Sequence, residues 1–179
     1  MHAIVVYESM YGNTRHVAEA IARGLGGPGP VRVVPVSVAK DVNLEDLDLV
    51  VVGGPTHVHG MSRVSTRHAA DDAAIASGGD LVMEPDSASE GVREWLASLS
   101  SMTGRAAAFD TRVDAAPLLT GRASKGIARR LQAAGFELVD QPESFLVDKA
   151  TQLLAGEEQR AEAWGAGLVA ALDGTFDSR

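Results

Sequence analysis

The chain has 179 residues, no cysteine and a formal net charge of -8 at pH 7. A chain of this length buries roughly 70% of its unfolded surface without disulfides or a structural metal, so we expect a single domain over residues 1–179. The missing cysteines exclude disulfides, iron–sulfur clusters and thiol nucleophiles. The negative charge argues against a nucleic-acid-binding protein, which normally carries a basic face, and favours a basic protein partner.

We expect neither a targeting segment nor a membrane segment in this sequence. Its first apolar run starts directly after Met1 and His2, without the charged and apolar pattern of a secretory leader. No apolar run approaches the length of a membrane span. We therefore expect a cytoplasmic protein without a membrane span.

The N-terminal segment predicts a strand, a polar loop and a helix in succession. The run 3–7 is β-branched and aromatic, as in a buried strand. A helical spacing of apolar residues follows the loop, at Val17, Ala18, Ile21, Ala22 and Leu25. A helix entered this way points unpaired N–H groups and the positive end of its dipole at the loop, which favours binding of a phosphate.

The loop lacks the nucleotide-binding fingerprints. It has no Gly-x-x-x-x-Gly-Lys-Ser/Thr, which argues against a nucleoside triphosphate. Gly12 is its only glycine, so the dinucleotide pattern Gly-x-Gly-x-x-Gly is missing as well. A single phosphate monoester held by neutral donors fits these residues, and an ordinary helix cap by Asn13 or Thr14 is the open alternative.

Four more strands alternate with helices along the chain. Strands are predicted at 31–38, 49–52 and 106–109, and a last strand over 136–139 and 144–147 is broken at 141–143. Helices are predicted at 62–76, 91–99, 121–134 and 157–172, and residues 77–90 form a loop excursion. This alternation predicts an α/β fold in three layers around a five-stranded parallel sheet.

Two further segments follow predicted strands directly. Residues 53–62 read Gly-Gly-Pro-Thr-His-Val-His-Gly-Met-Ser after the third strand, and residues 110–114 follow the fourth. Ligands of open α/β sheets bind in the crevice outside the carboxyl ends of the strands. We expect these two segments and the first loop to meet there.

The motif Ser9-x-Tyr11-Gly12-Asn13-Thr14 resembles the phosphate loop of the flavodoxin family, in the Ser-x-Tyr-Gly-x-Thr form of flavodoxin-like quinone reductases and flavodoxin domains of larger enzymes. The Gly-x-Pro-Thr start of the second loop resembles the quinone-reductase branch more than the short electron-carrying flavodoxins. The resemblance implies a doubly wound sheet with the flavodoxin-like strand order 2-1-3-4-5. It also implies flavin mononucleotide (FMN) as the cofactor.

The resemblance further implies which residues bind FMN. The phosphate loop would comprise Ser9, Met10, Tyr11, Gly12, Asn13 and Thr14, acting mainly through backbone N–H groups. The isoalloxazine ring would lie along Pro55, Thr56, His57, Val58, His59, Gly60 and Met61, and against Asp110, Thr111 and Arg112. In the family a peptide of the second loop turns its carbonyl toward the reduced flavin. We assign that peptide to Gly60, with a plain turn glycine as the alternative.

His57 and His59 are open to three interpretations. As metal ligands they lack an obvious third partner in the sequence. As exposed loop histidines they would have no role. As flavin contacts that titrate near neutrality, they would stabilise the anionic reduced flavin and make its potential pH-dependent.

The ring-binding segments contain no aromatic cover, because residues 53–62 and 110–121 include no Trp, Tyr or Phe. One face of the ring is then open to a quinone, another flat substrate or a partner protein, unless Met61 or the excursion at 77–90 covers it. Electron transfer to or from a redox partner protein or reductase is the leading hypothesis. An NAD(P)H- or quinone-linked FMN oxidoreductase and a cofactor-free interaction module are the alternatives.

Overall fold

The computed structural model describes residues 1–26, 29–57, 60–79, 81–85, 87 and 90–176. Its strands are β1 Ala3–Tyr7, β2 Val31–Pro35, β3 Leu49–His57, β4 Gly60–Met61, β5 Arg105–Val113, β6 Glu137–Leu138 and β7 Glu143–Val147. Its helices are α1 Asn13–Leu25, α2 Val36–Ala39, α3 Val64–Ala76, α4 Val92–Ser98, α5 Pro117–Thr120, α6 Ala123–Ala134 and α7 Glu157–Phe176. In the part of the chain so described, no helix is long and apolar enough to cross a membrane.

The sheet is parallel and has the order β2-β1-β3-β5, with β6 and β7 both pairing with the far side of β5. β6 and β7 are two halves of one edge strand, so the predicted break in the last strand is confirmed. The short β4 folds back antiparallel onto the end of β3. The predicted order 2-1-3-4-5 is therefore confirmed when the split strand is counted as the fifth.

Both faces of the sheet are buried, which explains why its central strands are continuously apolar. Along β3, Val50 and Val52 belong to the core cluster of Trp95 in α4 and Ile127 in α6. The intervening Val51 belongs to the opposite cluster, with residues of α1 and α7. The alternation of side chains along a strand thus produces the predicted three layers.

Two strands are longer than predicted. β3 continues to His57 and β5 to Val113, because the two strands keep pairing beyond their apolar cores, with Gly54 opposite Asp110 and Pro55 opposite Thr111. β1 pairs with β3 only as far as Gly53. The missing N–H of Pro55 therefore costs no ladder bond to β1.

The second strand is shorter than the predicted 31–38. It ends at Pro35, and the next four residues form α2. Val36 and Ala39 are three residues apart and both buried, at 4% and 1% exposure, so a helical turn places both in the core. The described residues of the 77–90 excursion lie outside helices and strands.

Candidate cofactor-binding crevice

A cavity of about 200 Å³ lies at the carboxyl edge of the sheet, where the three predicted segments meet. It is lined by Ser9, Met10, Tyr11, Asn13, Thr14, Pro55, Thr56, His57, Thr111, Arg112, Val113, Val147 and Thr151. A larger cleft of about 730 Å³ lies elsewhere, between α6 and residues 137–142 at the break in the edge strand. All three segments singled out in the sequence contribute to the smaller cavity, which is therefore the candidate site.

The β1–α1 loop is shaped to receive an anion. Gly12 occupies the N-cap position of α1 at φ 91°, in the left-handed region that favours glycine. Its N–H donates to Ser9 Oγ over 3.1 Å. Among the described residues no side chain caps α1, and the first turn of the helix contains no acidic residue. The first N–H groups of the helix and the positive end of its dipole are therefore available to a phosphate. The alternative of a cap by Asn13 or Thr14 does not fit, since Gly12 holds that position.

Three side chains of the loop tie it to its surroundings. Thr14 Oγ1, on a residue only 2% exposed, lies 2.8 Å from Thr111 Oγ1, and either hydroxyl can be the donor. Asn13 Nδ2 donates to the carbonyl of Thr151, and the Tyr11 hydroxyl donates to the carbonyl of Ala70 in α3, both over 2.8 Å. The loop is thus held before any ligand is bound.

The excursion lies against this loop. The backbone N–H of Glu84 donates to the carbonyl of Met10 over 2.8 Å, and Arg15 Nε lies 3.1 Å from Glu84 Oε1. Its described part therefore flanks the phosphate loop. None of its described residues is among those that line the cavity.

Two polar groups that line the cavity lack partners among the described atoms. His57 Nε2 and Arg112 Nε are both buried and form no hydrogen bond. Burial lowers the pKa of His57, and the positive charge of Arg67 lowers it further. His57 therefore titrates below the usual histidine range around 6.5, at a lower pH than the sequence alone suggested.

Asp110 does not line the cavity. Its residue is 0% exposed, and its Oδ2 accepts the backbone N–H of Ser124 in the first turn of α6 over 2.7 Å. Oδ1 has no partner among the described atoms. Burial raises the pKa of Asp110, and the bond from Ser124 opposes this rise. Asp110 therefore serves as a cap of α6 next to the crevice.

The end of the second loop is also displaced from the cavity. Met61 is 7% exposed and packs in the core against α6, where its Cε lies 3.2 Å from the Cβ position of Gly126. Its side chain is therefore not available to cover the ring. Gly60 is half-buried in the β3–β4 hairpin. Val58 and His59 lie outside the described residues.

Some crevice residues were missed by sequence reasoning. Val147 and Thr151 line the cavity because β7 ends beside β5. The rule that ligands bind at the carboxyl ends of parallel strands could have indicated residues 147–151. Glu8, which is buried at the start of the loop but does not line the cavity, gave no such signal in the sequence.

The residues present fit a phosphate-bearing ligand with polar groups. The open helix terminus suits the phosphate, and the Ser9 and Thr14 hydroxyls and the unpartnered His57 and Arg112 nitrogens supply further polar contacts. The volume is below the roughly 300–1,000 Å³ of pockets that enclose small ligands, so the crevice would hold a mononucleotide only in part. Over the described residues, no three His, Asp or Glu side chains are grouped to bind a metal ion.

Comparison with known proteins identifies the family and the fold. The flavodoxin family model matches residues 5–108. The fold is similar to a flavodoxin from the domain Archaea (21% identity, TM-score 0.57, 97% of this chain and 99% of that one). It is also similar to oxidised flavodoxin 1 from Bacillus cereus (19% identity, TM-score 0.61, 95% of this chain and 98% of that one). A third similar structure is a WrbA-like flavodoxin from Agrobacterium tumefaciens (15% identity, TM-score 0.54, 97% of this chain and 98% of that one).

No curated protein matches the chain. The family match covers more than half of its length, and members of this family bind flavin, typically FMN. The chain belongs to the flavodoxin family.

Proposed function

We propose that this protein binds FMN and transfers electrons to or from a protein partner. The observation that carries the proposal is the meeting of three loops at one cavity beside an uncapped helix terminus without acidic residues. When bound, FMN supplies reversible uptake of electrons. The chain supplies the binding and the polar surroundings. The cytoplasmic location expected from the sequence remains a prediction.

Each segment has a distinct task in this proposal. The backbone N–H groups of 10–14 and the hydroxyls of Ser9 and Thr14 bind the phosphate. Pro55 to His57 and Thr111 to Arg112 lie along the ring, and the Gly60 peptide turns toward the reduced flavin. Val58 and His59 are proposed as ring contacts on the resemblance alone.

The crevice rim supports a protein partner. Val113 is 40% exposed, and Leu118 and Leu119 in the adjacent α5 are 91% and 70% exposed. Exposed apolar side chains that are grouped together commonly mark an interaction surface. The net charge of -8 favours a partner with a basic surface around an apolar centre.

A second candidate is an FMN-dependent oxidoreductase that uses NAD(P)H or a quinone. The described residues that line the cavity include no Trp or Phe, and Tyr11 is held by its hydroxyl bond to α3. An uncovered ring face would admit a flat substrate.

Reduction kinetics distinguish the two candidates. The FMN-loaded protein is mixed anaerobically with NADPH, with and without a quinone, and then with a separate NADPH-dependent flavoprotein reductase. Reduction only in the presence of the reductase is the expected result, and Leu118→Ser/Leu119→Ser should slow it without changing FMN affinity. Steady quinone turnover with NADPH alone would overturn the carrier assignment in favour of the enzyme.

A further inference from the structure

A buried ionic cluster lies behind the crevice, where three segments of the chain meet. Glu8 is the first residue after β1, immediately before the phosphate loop, and is 5% exposed. Its carboxylate accepts the Ser62 hydroxyl, just after β4, and the backbone N–H of Val92 at the start of α4, the latter over 2.8 Å. One carboxylate thus joins the phosphate loop, the β3–β4 hairpin and α4.

Arg67 of α3 is the cation of this cluster and is 6% exposed. Its Nη1 lies 3.1 Å from Ser62 Oγ and 3.2 Å from Glu94 Oε2. A Cβ on Gly91 would come within 2.4 Å of Nη1. The guanidinium therefore occupies a fitted site, and a buried charge of this kind is retained only with partners of opposite charge.

A second arginine holds the same hairpin from α4. Arg93 donates from Nη2 to the carbonyl of Met61 over 2.7 Å and from Nε to that of Ser62 over 2.9 Å. The end of the hairpin is therefore fixed by both its backbone and the Ser62 side chain. His57 lies on the other strand of this hairpin, opposite Gly60.

We propose that Arg67 is a positioning residue for the crevice: through Ser62 and Glu8 it fixes the hairpin that carries His57 against the phosphate loop, and it contributes to the electrostatic surroundings of the His57 ring. The inference rests on the proposed function only where it concerns flavin. Arg67 does not line the cavity, so it acts through His57 and the hairpin.

The charges around the cluster support this role. Burial raises the pKa of Glu8, whereas the bonds from Ser62 and Val92 and the charge of Arg67 oppose the rise, and Glu94 adds to it. For His57, burial is the larger cause of its lowered pKa, and Arg67 is the second. Arg67 thus favours the ionised form of Glu8 and the neutral form of His57.

A neutral His57 has a specific consequence for a bound flavin. Its buried Nε2 has no partner among the described atoms and can form one hydrogen bond toward the crevice. It brings no positive charge, so it does not electrostatically favour an anionic reduced flavin at neutral pH.

The test is an NMR titration of the His57 ring in the flavin-free protein, compared among wild type, Arg67→Met and Arg67→Lys. In wild type the midpoint should lie below about 6.5, the ordinary histidine value. Arg67→Met should move it to higher pH, because one cause of the lowering is lost while burial remains. Arg67→Lys keeps the charge and should restore most of the wild-type midpoint. Arg63→Met is the matched control, since it removes an exposed arginine one turn earlier and should leave the midpoint unchanged.

An unchanged His57 midpoint in folded Arg67→Met would overturn the proposal, and so would a wild-type midpoint in the ordinary range. If Arg67→Met does not fold, Arg67→Gln gives the decision. It removes the charge but keeps a hydrogen-bonding side chain at this site, so the midpoint should also move to higher pH, whereas no change would refute the role. Because the titration needs no flavin, a failure to bind FMN and a failure of this proposal are separate results.

Discussion

The hydroxyl pair of Thr14 and Thr111 allows phosphate binding to be separated from folding. Thr14→Val keeps the side-chain shape and removes the hydroxyl that we assign to the phosphate. In the flavin-free protein this leaves the Thr111 hydroxyl, on a residue 5% exposed, without its 2.8 Å partner. An unsatisfied buried hydroxyl costs about 1–3 kcal/mol, which urea denaturation should show as a lower free energy of unfolding.

The effect on binding should depend on the ligand. A hydrogen bond to a charged group contributes about 1.5–3 kcal/mol, so FMN affinity should fall roughly 10- to 150-fold in a fluorescence titration. Riboflavin lacks the phosphate, and its affinity should not change.

Two controls complete this experiment. Thr111→Val should lose similar stability but keep most FMN affinity, because Thr14 retains its hydroxyl. The double variant removes both partners and should recover stability while FMN binding stays weak. A folded Thr14→Val protein that binds FMN as tightly as wild type would refute the phosphate assignment.

Three further changes test other parts of the structure. Gly53→Ala places a Cβ 2.1 Å from the buried Phe109 ring, so urea denaturation should show a free energy of unfolding lower by about 1–3 kcal/mol. Gly54→Ala is the control, because the nearest atom to its Cβ is 3.7 Å away and the loss of stability should be much smaller. Among the described residues outside its chain neighbours, a Cβ at Gly60 meets no atom closer than 4.0 Å, so Gly60→Ala should keep its stability while potentiometry shows a lower potential. An unchanged potential would contradict the peptide-turn assignment. Burial raises the pKa of Glu157, but hydrogen bonds from the Arg160 guanidinium and the backbone N–H of Leu146 outweigh burial, so the pKa is lowered overall. Its stabilisation is therefore present above the ordinary glutamate pKa and is lost as pH falls through the lowered value, so Glu157→Gln should reduce the acid dependence of unfolding.

Local sequence signals were sufficient for the layers of the fold and for the main loop of the site. The apolar run 3–7, the polar loop and the helical spacing after Thr14 are contiguous in the chain, and each has the conformation predicted for it. The crevice followed from them, because parallel strands bring their carboxyl ends to one edge.

Features that depend on distant partners could not be predicted. Pro55 and Thr111 lie in strands only because β3 and β5 continue to pair across a wide sequence separation. The carboxylate of Glu8 is buried because its partners, Ser62 and Val92, come from 54 and 84 residues away. In the sequence, a glutamate after a strand is simply a loop residue, and only the packing of α3 and α4 gives it a role.

The most direct test of FMN binding is the visible absorbance spectrum of the protein purified without added cofactor, followed by titration of the flavin-free protein with FMN and riboflavin. The geometry of the β1–α1 loop predicts a yellow protein, or uptake of FMN much tighter than that of riboflavin, because the open terminus of α1 binds the phosphate. A colourless protein that binds neither flavin would contradict the account and would favour an interaction module that keeps the flavodoxin fold without its cofactor.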